Sequence, residues 1–239
     1  MRIAIVSDIH GNRAALEAVL IDLKQTAPDV ILHGGDLAHG GSSPAYIVDR
    51  VRGLGWQGVV GNADEVLFRP KSLTEFSSSL PQLQHLWTAI EEMAAASRDA
   101  LGDERIAWLS TLPMHQIVDS VALVHASPSS CWRAPDQAAS DAELESTYGG
   151  YGKPIAVYGH IHHPFIRDLA GLIVVNSGSV SMSYDGDPRA SYLLIDNGVP
   201  SIRRVEYKIE AEIKALEESK IPHANWIVRM LKTGRPEMP

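Results

Sequence analysis

One segment near the start of the chain organises the rest, and it runs Ile3-Ala4-Ile5-Val6-Ser7-Asp8-Ile9-His10-Gly11-Asn12. Its four apolar residues are typical of a buried strand, and the polar, glycine-containing residues after them are typical of a loop. Side chains two positions apart on an extended segment point to the same side, so Asp8 and His10 face a common target. A carboxylate and an imidazole that converge at a strand end are half of a metal site.

The composition is ordinary for a soluble globular protein, with 45% hydrophobic and 21% charged residues among 239. This length suits one large domain or two small ones. Lys and Arg number 21 and Asp and Glu number 29, so the formal net charge is −8. That balance argues against general binding to nucleic acid or to an anionic membrane. An anionic substrate stays open, because bound cations reverse the local field.

The cysteine content and the absence of long apolar runs indicate a cytoplasmic protein. Cys131 is the single cysteine, so no internal disulfide can form and a reducing compartment is indicated. The first expected strand begins at residue 2, so we expect no cleavable leader. No apolar run approaches the roughly 20 residues that a membrane span needs, so we expect no membrane partner.

Hydrophobic periodicity predicts alternating helices and strands near the start of the chain. The pattern predicts a helix over 12–24, a strand at 30–32, a helix from Pro44 to the glycines at 53 and 55, and a short strand at 57–60. Strands and helices that alternate at this spacing favour right-handed crossovers and a largely parallel sheet.

The later segments change character. Residues 65–112 are rich in Ala, Glu, Leu and Trp, so we expect a helical insert that packs against the sheet or, alternatively, overhangs and shapes the site. Strand patterns follow at 116–118, 121–124, 155–158, 172–175, 191–195 and 202–205, and short turns between them favour an antiparallel-rich half. The tail at 209–232 is predicted to form two helices divided at Pro222. We expect a single α/β domain over 1–239, a four-layer α-β-β-α sandwich of two mixed sheets flanked by helices.

Five predicted strands each run into a loop that carries one or two oxygen or nitrogen ligands. These residues are Asp8 with His10, Asp36, Asn62, His125, and His160 with His162. Convergent side chains at strand ends are typical of the active sites of open sheets. Mixed nitrogen and oxygen ligands suit Mn²⁺, Fe, Zn²⁺ or Ni²⁺ better than Ca²⁺.

These motifs, in this order, resemble the calcineurin-like metallophosphoesterase superfamily, whose signature runs D-x-H, G-D, G-N-x-D/E, H and G-H-x-H. The resemblance covers Ile3 to about Ile195 and is greatest to small bacterial and archaeal phosphodiesterase-type members. It implies an enzyme that hydrolyses a small phosphate ester by in-line attack of a hydroxide bridging two divalent transition-metal ions, with Mn²⁺ first among the candidates. No general nucleic-acid binding is expected, and the oligomeric state is left open.

The resemblance also implies a ligand set for each ion. The first ion is held by Asp8, His10, Asp36 and His162. The second is held by Asp36, Asn62, His125 and His160. Asp36 therefore bridges the two ions, and it joins His10 among the expected catalytic residues.

The chain departs from the phosphatase-type pattern at Ala63, where that branch has a histidine taken to protonate the leaving group. This departure favours phosphodiesters, with phosphomonoesters, phosphoproteins and dinucleoside polyphosphates as alternatives. His39, in the loop after Asp36, is a candidate for the missing acid, and so is His10. An exposed loop histidine is the other interpretation of His39. Asp64 is expected to orient a ligand histidine from behind.

Three further residues are candidates for binding substrate, namely Asn12, Arg13 and Arg133. Asn12 either holds phosphate or caps its helix. Arg133 either binds phosphate or is simply exposed. His33, inside a strand pattern, is expected to be structural. A non-catalytic scaffold for a protein partner is the alternative from another functional class, and the seven retained ligands weigh against it.

Overall fold

The computed structural model describes residues 1–239, which form ten strands and eight helices. The strands are β1 (Arg2–Val6), β2 (Val30–His33), β3 (Gln57–Gly58), β4 (His115–Val118), β5 (Val121–Val124), β6 (Ile155–Tyr158), β7 (Phe165–Leu169), β8 (Leu172–Asn176), β9 (Ala190–Asp196) and β10 (Val199–Val205). The helices are α1 (Arg13–Thr26), α2 (Pro44–Gly53), α3 (Asn62–Phe68), α4 (Lys71–Ser77), α5 (Gln84–Leu109), α6 (Asp141–Tyr148), α7 (Ile209–Ser219) and α8 (Ala224–Thr233). Two 3₁₀ turns lie at Pro81–Leu83 and Gly149–Tyr151.

The strands form two mixed five-stranded sheets, which confirms the predicted sandwich. The first has the order β10-β9-β1-β2-β3, with β1, β2 and β3 parallel. The second has the order β4-β5-β6-β8-β7, with β5, β6 and β8 parallel between antiparallel edge strands. The prediction of an antiparallel-rich second half is therefore wrong for the three central strands of this sheet, which are parallel.

The source of that error is α6, which lies between the parallel strands β5 and β6 and which the sequence pattern did not reveal. A crossover between parallel strands needs such a connection. Only Leu144 and Tyr148 of this helix are buried, so one i, i+4 pair is its whole apolar signal. Strand β7 was missed as well, because an edge strand with exposed Ile166 and Asp168 lacks a continuous apolar run.

The core between the sheets is built by the alternation of side chains along the strands. Ile3 and Ile5 of β1 point into the space between the sheets, whereas Ala4 and Val6 join the cluster beneath the helices. Each central strand is thus apolar on both faces, as expected for strands covered on two sides. This rigid pair of sheets fixes where the loops after β1, β2, β5 and β6 emerge.

The insert and the C-terminal helices pack together at one end of the sandwich. Ala89 and Met93 of α5 join α7 and α8 in one buried cluster that also contains Met182. The predicted division of the tail into two helices is confirmed by α7 and α8. None of the eight helices combines the length and the apolar character that crossing a bilayer requires.

Candidate metal centre

All seven predicted ligands meet at one end of the two sheets. The loops after β1 and β2 and the start of α3 bring Asp8, His10, Asp36 and Asn62 from the first sheet. The loops after β5 and β6 bring His125, His160 and His162 from the second sheet. The site therefore lies across the sandwich, and neither sheet could form it alone.

The first ligand group contains Asp8, His10, Asp36 and His162, all buried. Its ligand atoms all lie within 4.8 Å of one another. The Nε2 atom of His162 is 3.1 Å from Asp8 Oδ1 and 3.3 Å from His10 Nε2. Two carboxylates and two imidazoles at these distances form a pocket of the right chemistry for a divalent transition metal.

The second group surrounds the amide oxygen of Asn62. This Oδ1 lies 3.0 Å from His125 Nε2 and 2.8 Å from His160 Nδ1. Asp36 lies between the two groups, because its Oδ2 is 3.4 Å from His125 Nε2 and 3.6 Å from His10 Nε2. Asp36 thus has the position that a shared ligand requires.

Three of the imidazole rings are oriented from behind by backbone carbonyls. The Nδ1 atoms of His10, His125 and His162 lie 2.8, 2.8 and 2.6 Å from the carbonyl oxygens of His39, Gly34 and Met182. Donation of Nδ1–H to a carbonyl leaves the Nε2 lone pair directed into the site. This is how ligating histidines are normally fixed.

The backbone at five of the ligands is in the left-handed region. The φ angles are 58° for Asp8, 47° for His10, 54° for Asp36, 67° for His160 and 54° for His162. Such conformations cost on the order of 1–3 kcal/mol for residues other than glycine, and they cluster at functional sites. The tight turns after the strands therefore aim these side chains at the expense of local stability.

Asp64 supports the site in a different way from the one predicted. Its carboxylate accepts hydrogen bonds from the backbone N–H groups of Asp36 (2.8 Å), Leu37 (2.8 Å) and Gly61 (3.2 Å). The expectation that it orients a histidine is wrong, because it holds the loop that carries Asp36. A Cβ on Gly61 would collide with the Asp36 carboxylate, so this close approach needs glycine. Burial, together with the nearby Asp36 charge, raises the pKa of Asp64 to about 7.

The carboxylates and imidazoles of the site perturb one another strongly. Burial alone would raise the pKa of Asp36, but the neighbouring histidines, His125 foremost, together outweigh it and the pKa falls. Burial lowers the pKa of His10 and of His160 to about 4, so both imidazoles are neutral, as ligands must be. Burial also opposes a charge on His125, yet Asp36 raises its pKa to about 10. A cation bound beside Asp36 would take the place of this proton on His125.

Asn12 caps a helix, as one of its two interpretations predicted. Its Oδ1 accepts a hydrogen bond of 2.9 Å from the N–H of Ala15, and its Nδ2 lies 3.3 Å from Ser181 Oγ. The side chain is only 1% exposed. These contacts occupy both ends of the amide, so the structure does not present Asn12 to a substrate.

The two candidate arginines lie away from the ligands. The guanidinium of Arg13 lies 4.2 Å from the ring centroid of Tyr46. That of Arg133 lies 5.0 Å from the Phe76 ring and donates to Ser79 Oγ at 3.3 Å. Neither arginine lines the cavity at the ligands. The structure thus does not bring them to the site.

His39 is buried, with 6% exposure, so its interpretation as an exposed loop residue is wrong. Its ring Nε2 lies 3.1 Å from the carbonyl oxygen of Ile90 in α5. Ala63, at the departure from the phosphatase pattern, donates its backbone N–H to Asp36 Oδ1 at 2.8 Å. His33 is fully buried with neither ring nitrogen hydrogen-bonded, and burial lowers its pKa to about 3, as fits a structural residue.

A cavity of about 260 Å³ opens over the ligands. We call its polar side the floor, which consists of His10, His39, Asp36, Asn62, His160 and His162. We call its apolar side the roof, which consists of Val66, Phe76, Trp87, Ile90, Met93, Trp132, Met182, Tyr184, Trp226, Ile227 and Met230. Five of the roof residues come from the insert, which also packs Ala94 and Leu101 into the core. Both interpretations of the insert are therefore correct.

Tyr184 is a site residue that the sequence reasoning missed. Its ring is stacked on that of His162, with centroids 4.6 Å apart and 23° between the planes. Its hydroxyl lies 3.7 Å from the sulfur of Met230 in α8. A single aromatic residue in a loop has no local pattern that marks it, so no signal in the sequence could have identified it.

The family follows from a comparison with known proteins. Residues 1–198 match the Calcineurin-like phosphoesterase superfamily domain. The chain belongs to this superfamily. The match spans the segments that carry all seven predicted ligands, and it confirms the expected phosphoesterase family.

Three proteins similar to this calcineurin-like phosphoesterase come from bacteria and archaea. An uncharacterized protein of Methanocaldococcus jannaschii is 29% identical over 260 residues, covering 98% of each chain. The symmetrical bis(5'-nucleosyl)-tetraphosphatase of Methylococcus capsulatus is 30% identical over 177 residues, covering 72% of this chain and 60% of the relative. The crystal structure of a metallophosphoesterase from Sphaerobacter thermophilus superposes with a TM-score of 0.78 at 29% identity, covering 98% of this chain and 99% of the other.

Proposed function

We propose that this phosphoesterase hydrolyses phosphodiesters with the help of two divalent cations bound in the floor. The observation that carries the proposal is the pair of ligand groups that share Asp36. Asp8, His10 and His162 would hold the first cation with Asp36, and Asn62, His125 and His160 would hold the second with it. When bound, two such cations activate water and stabilise charge on a phosphoryl group.

The donor set fits Mn²⁺ as the first candidate, with Fe, Zn²⁺ and Ni²⁺ as alternatives. Carboxylate and amide oxygens suit Mn²⁺, and imidazole nitrogens suit the other three. The back-bonded Nδ1 atoms of His10, His125 and His162 support metal binding independently, because that arrangement leaves Nε2 free.

The protein's own residues bind the substrate and supply a proton. Two divalent cations bring a formal +4 and the carboxylates of Asp8 and Asp36 bring −2, so about +2 faces the phosphoryl group. We propose that His39 protonates the leaving oxygen through Nδ1, because it is the histidine of the floor that belongs to neither ligand group and its Nε2 lies 3.1 Å from the Ile90 carbonyl oxygen. Ala63 has no side-chain donor, which supports a diester with a leaving group that needs less help.

Two alternatives have different support. The similarity to the Methylococcus capsulatus relative, whose name is that of a tetraphosphatase, favours a dinucleoside polyphosphate as substrate. A non-catalytic scaffold has no specific support, since all seven ligands are present and oriented. We also propose a cytoplasmic location, because Cys131 is a buried free thiol and fits a reducing compartment.

The decisive experiment compares Mn²⁺-dependent hydrolysis of bis(p-nitrophenyl) phosphate with that of p-nitrophenyl phosphate. We expect the diester to be preferred, and Asp36→Ala and His160→Ala to lower both bound metal and turnover more than 100-fold, since loss of a ligand exceeds the 10–100-fold effect of its supporting partners. Asp168→Ala, at an exposed carboxylate on β7, is the control that leaves both unchanged. Absence of metal-dependent turnover with any phosphate ester would refute the proposed enzymatic activity. A preference for the monoester would refute the assignment of phosphodiesters as substrates.

A further inference from the structure

We propose that the substrate carries one phosphoryl group and an aromatic ester arm, and that the aromatic residues of the roof bind this arm. The proposal rests on the proposed function, because it assumes that the phosphoryl group lies on the floor. It names a substrate class that the family alone does not specify. Three independent observations support it, namely the chemistry of the roof, its lack of cationic side chains and its size.

The first observation is an aromatic cluster on one side of the roof, formed by Phe76, Trp87 and Trp132. The Phe76 and Trp132 rings have centroids 5.0 Å apart, and the Phe76 and Trp87 rings meet edge to face at 5.8 Å. Phe76 and Trp132 are half-buried and line the cavity. All three rings line the cavity, so the aromatic surface that Arg133 and the neighbouring rings leave free can meet a further planar group face to face or edge to face.

A second part of the roof is apolar and adaptable. Trp226, Ile227 and Met230 of α8 belong to it, and Met93 and Met182 lie in the same buried cluster. Methionine side chains fit irregular shapes and make favourable sulfur–aromatic contacts. An aromatic arm in the cavity would therefore be surrounded by aromatic and adaptable apolar side chains.

The second observation is that none of the nineteen residues lining the cavity is a lysine or an arginine. The arginines nearest in sequence to the roof are already engaged. Arg133 lies on the Phe76 ring, Arg229 pairs with Glu237 at 3.6 Å, and Arg69 pairs with Glu65 at 2.8 Å. Each additional phosphate of a polyphosphate chain would therefore enter an apolar space without a counter-charge, which is costly.

The charge of the floor leads to the same conclusion. With two cations bound, the formal excess of about +2 would be balanced by one phosphomonoester group of about −2, and it would exceed the charge of about −1 on one phosphodiester. A tetraphosphate bridge carries roughly twice the charge of the monoester, and protein sites that bind several phosphates use Arg and Lys for them. The substrate that fits this site is thus singly phosphorylated.

The third observation is the size of the cavity, about 260 Å³. Sites for drug-sized ligands range from about 300 to 1,000 Å³. The space over the floor therefore encloses about one phosphoryl group and one ring system. Two nucleosides joined by four phosphates would extend well beyond it.

The test compares phosphodiesters that share a trifluoroethanolate leaving group, which is not aromatic, and differ in the other arm, which is methyl, benzyl or thymidine-5'-yl. Stacking of a ring on aromatic side chains is worth about 1–3 kcal/mol, so kcat/KM should be about 10- to 100-fold higher for the benzyl or the thymidine ester than for the methyl ester. The benzyl and thymidine esters distinguish a simple aromatic arm from a nucleoside. Equal kcat/KM for all three esters would overturn the proposal, and so would a higher kcat/KM for bis(5'-adenosyl) tetraphosphate.

A matched pair of variants locates the effect. Phe76→Leu should remove most of the preference for the aromatic arm, and Phe76→Tyr should retain it because the ring remains. Phe165→Leu is the control, since Phe165 is also half-buried but packs beside Tyr158, in a cluster that does not line the cavity. Unchanged preference in Phe76→Leu, with the protein folded, would overturn the role of the roof.

A binding measurement separates this proposal from the proposed function. Phenylphosphonate and methylphosphonate have no ester bond to hydrolyse, and tryptophan fluorescence reports their binding beside Trp132. We expect phenylphosphonate to bind about 10-fold or more tightly, and Phe76→Leu to remove the difference. Protein that binds phenylphosphonate selectively but hydrolyses no ester would refute the proposed function alone. Protein that hydrolyses esters but binds both phosphonates equally would refute only the aromatic arm.

Discussion

The floor and the roof of the cavity are built on different principles. The floor is polar, and four of its ligands have left-handed backbone conformations at the ends of strands from two rigid sheets. The roof is apolar, and its residues lie on α3, α4, α5 and α8 and in two loops. The floor is thus positioned by the backbone, whereas the roof is positioned by the packing of side chains between helices.

This difference separates two tasks of the enzyme. Strand ends can hold several ligands to within a narrow range of distances, which bound metal ions demand. Helices that rest on apolar contacts can change their side chains without disturbing those ligands. We therefore expect the reaction to be a property of the floor and the choice of substrate to be a property of the roof.

The largest expected effect concerns His39, which joins the two regions. Its backbone carbonyl accepts from His10 in the floor, and its ring meets the Ile90 carbonyl of α5. If His39 donates the proton, His39→Asn should lower kcat for diphenyl phosphate by about 10²–10⁴-fold, since phenolate is a poor leaving group. The loss for bis(p-nitrophenyl) phosphate should stay below about 10-fold. His85→Asn, at an exposed position, is the control, and equal losses for both esters would mean that His39 only positions its neighbours.

The next effect tests whether the roof can be weakened without disturbing the floor. Leu101 of α5 is fully buried in the core beneath the insert. Leu101→Ala should lower the free energy of unfolding in urea by about 2–5 kcal/mol. Ile21→Ala, on the exposed side of α1, should change it by no more than about 0.5 kcal/mol. Mn²⁺ affinity of the folded Leu101→Ala protein should be unchanged, and a parallel tenfold loss would show that the two regions are not independent.

The floor was far easier to predict from the sequence than the roof. Each ligand follows a short apolar strand, so local patterns are sufficient to find Asp36 or His125. The roof brings together Phe76, Trp132 and Trp226, which are distant in the chain and lie in unrelated local patterns. Their convergence depends on how the insert packs against α8, and hydrophobic periodicity contains no information on that contact.

Some features of the floor were also beyond the sequence. A carboxylate in a G-N-x-D pattern is equally consistent with a hydrogen bond to a histidine and with hydrogen bonds to the backbone of a loop. The contacts of Asp64 could therefore be identified only from the structure. The left-handed φ of His160 depends on the tight turn that the folded sheets impose, since non-glycine residues avoid that region in isolation.

Asp64 offers a test of how far the floor depends on its backbone support. Asp64→Asn replaces a carboxyl group that accepts from three backbone N–H groups with an amide, whose nitrogen cannot accept. We expect Mn²⁺ affinity, measured by calorimetry, to fall about 10–100-fold, as for other groups that support metal ligands. Asp103→Asn, exposed on α5, should have no effect. Unchanged affinity in Asp64→Asn would mean that the strand ends alone position Asp36.

The smallest expected effect lies outside both regions, on the far side of the first sheet. Asp22 accepts hydrogen bonds from Arg203 (2.8 Å) and from the Tyr192 hydroxyl (2.7 Å). Burial raises the pKa of Asp22, but these bonds outweigh it and the pKa falls. A lowered pKa gives stability that is present above the unfolded value of about 3.9 and is lost as the pH falls through the folded value.

Because Arg203 is 41% exposed, Arg203→Ala should lower the free energy of unfolding in urea at pH 7 by less than about 1 kcal/mol. The difference from the wild type should shrink between pH 5 and pH 3, while metal affinity and ester preference stay unchanged. A change in either of these two properties would show that the sheet transmits strain from its edge to the cavity, and the division into floor and roof would then be incomplete.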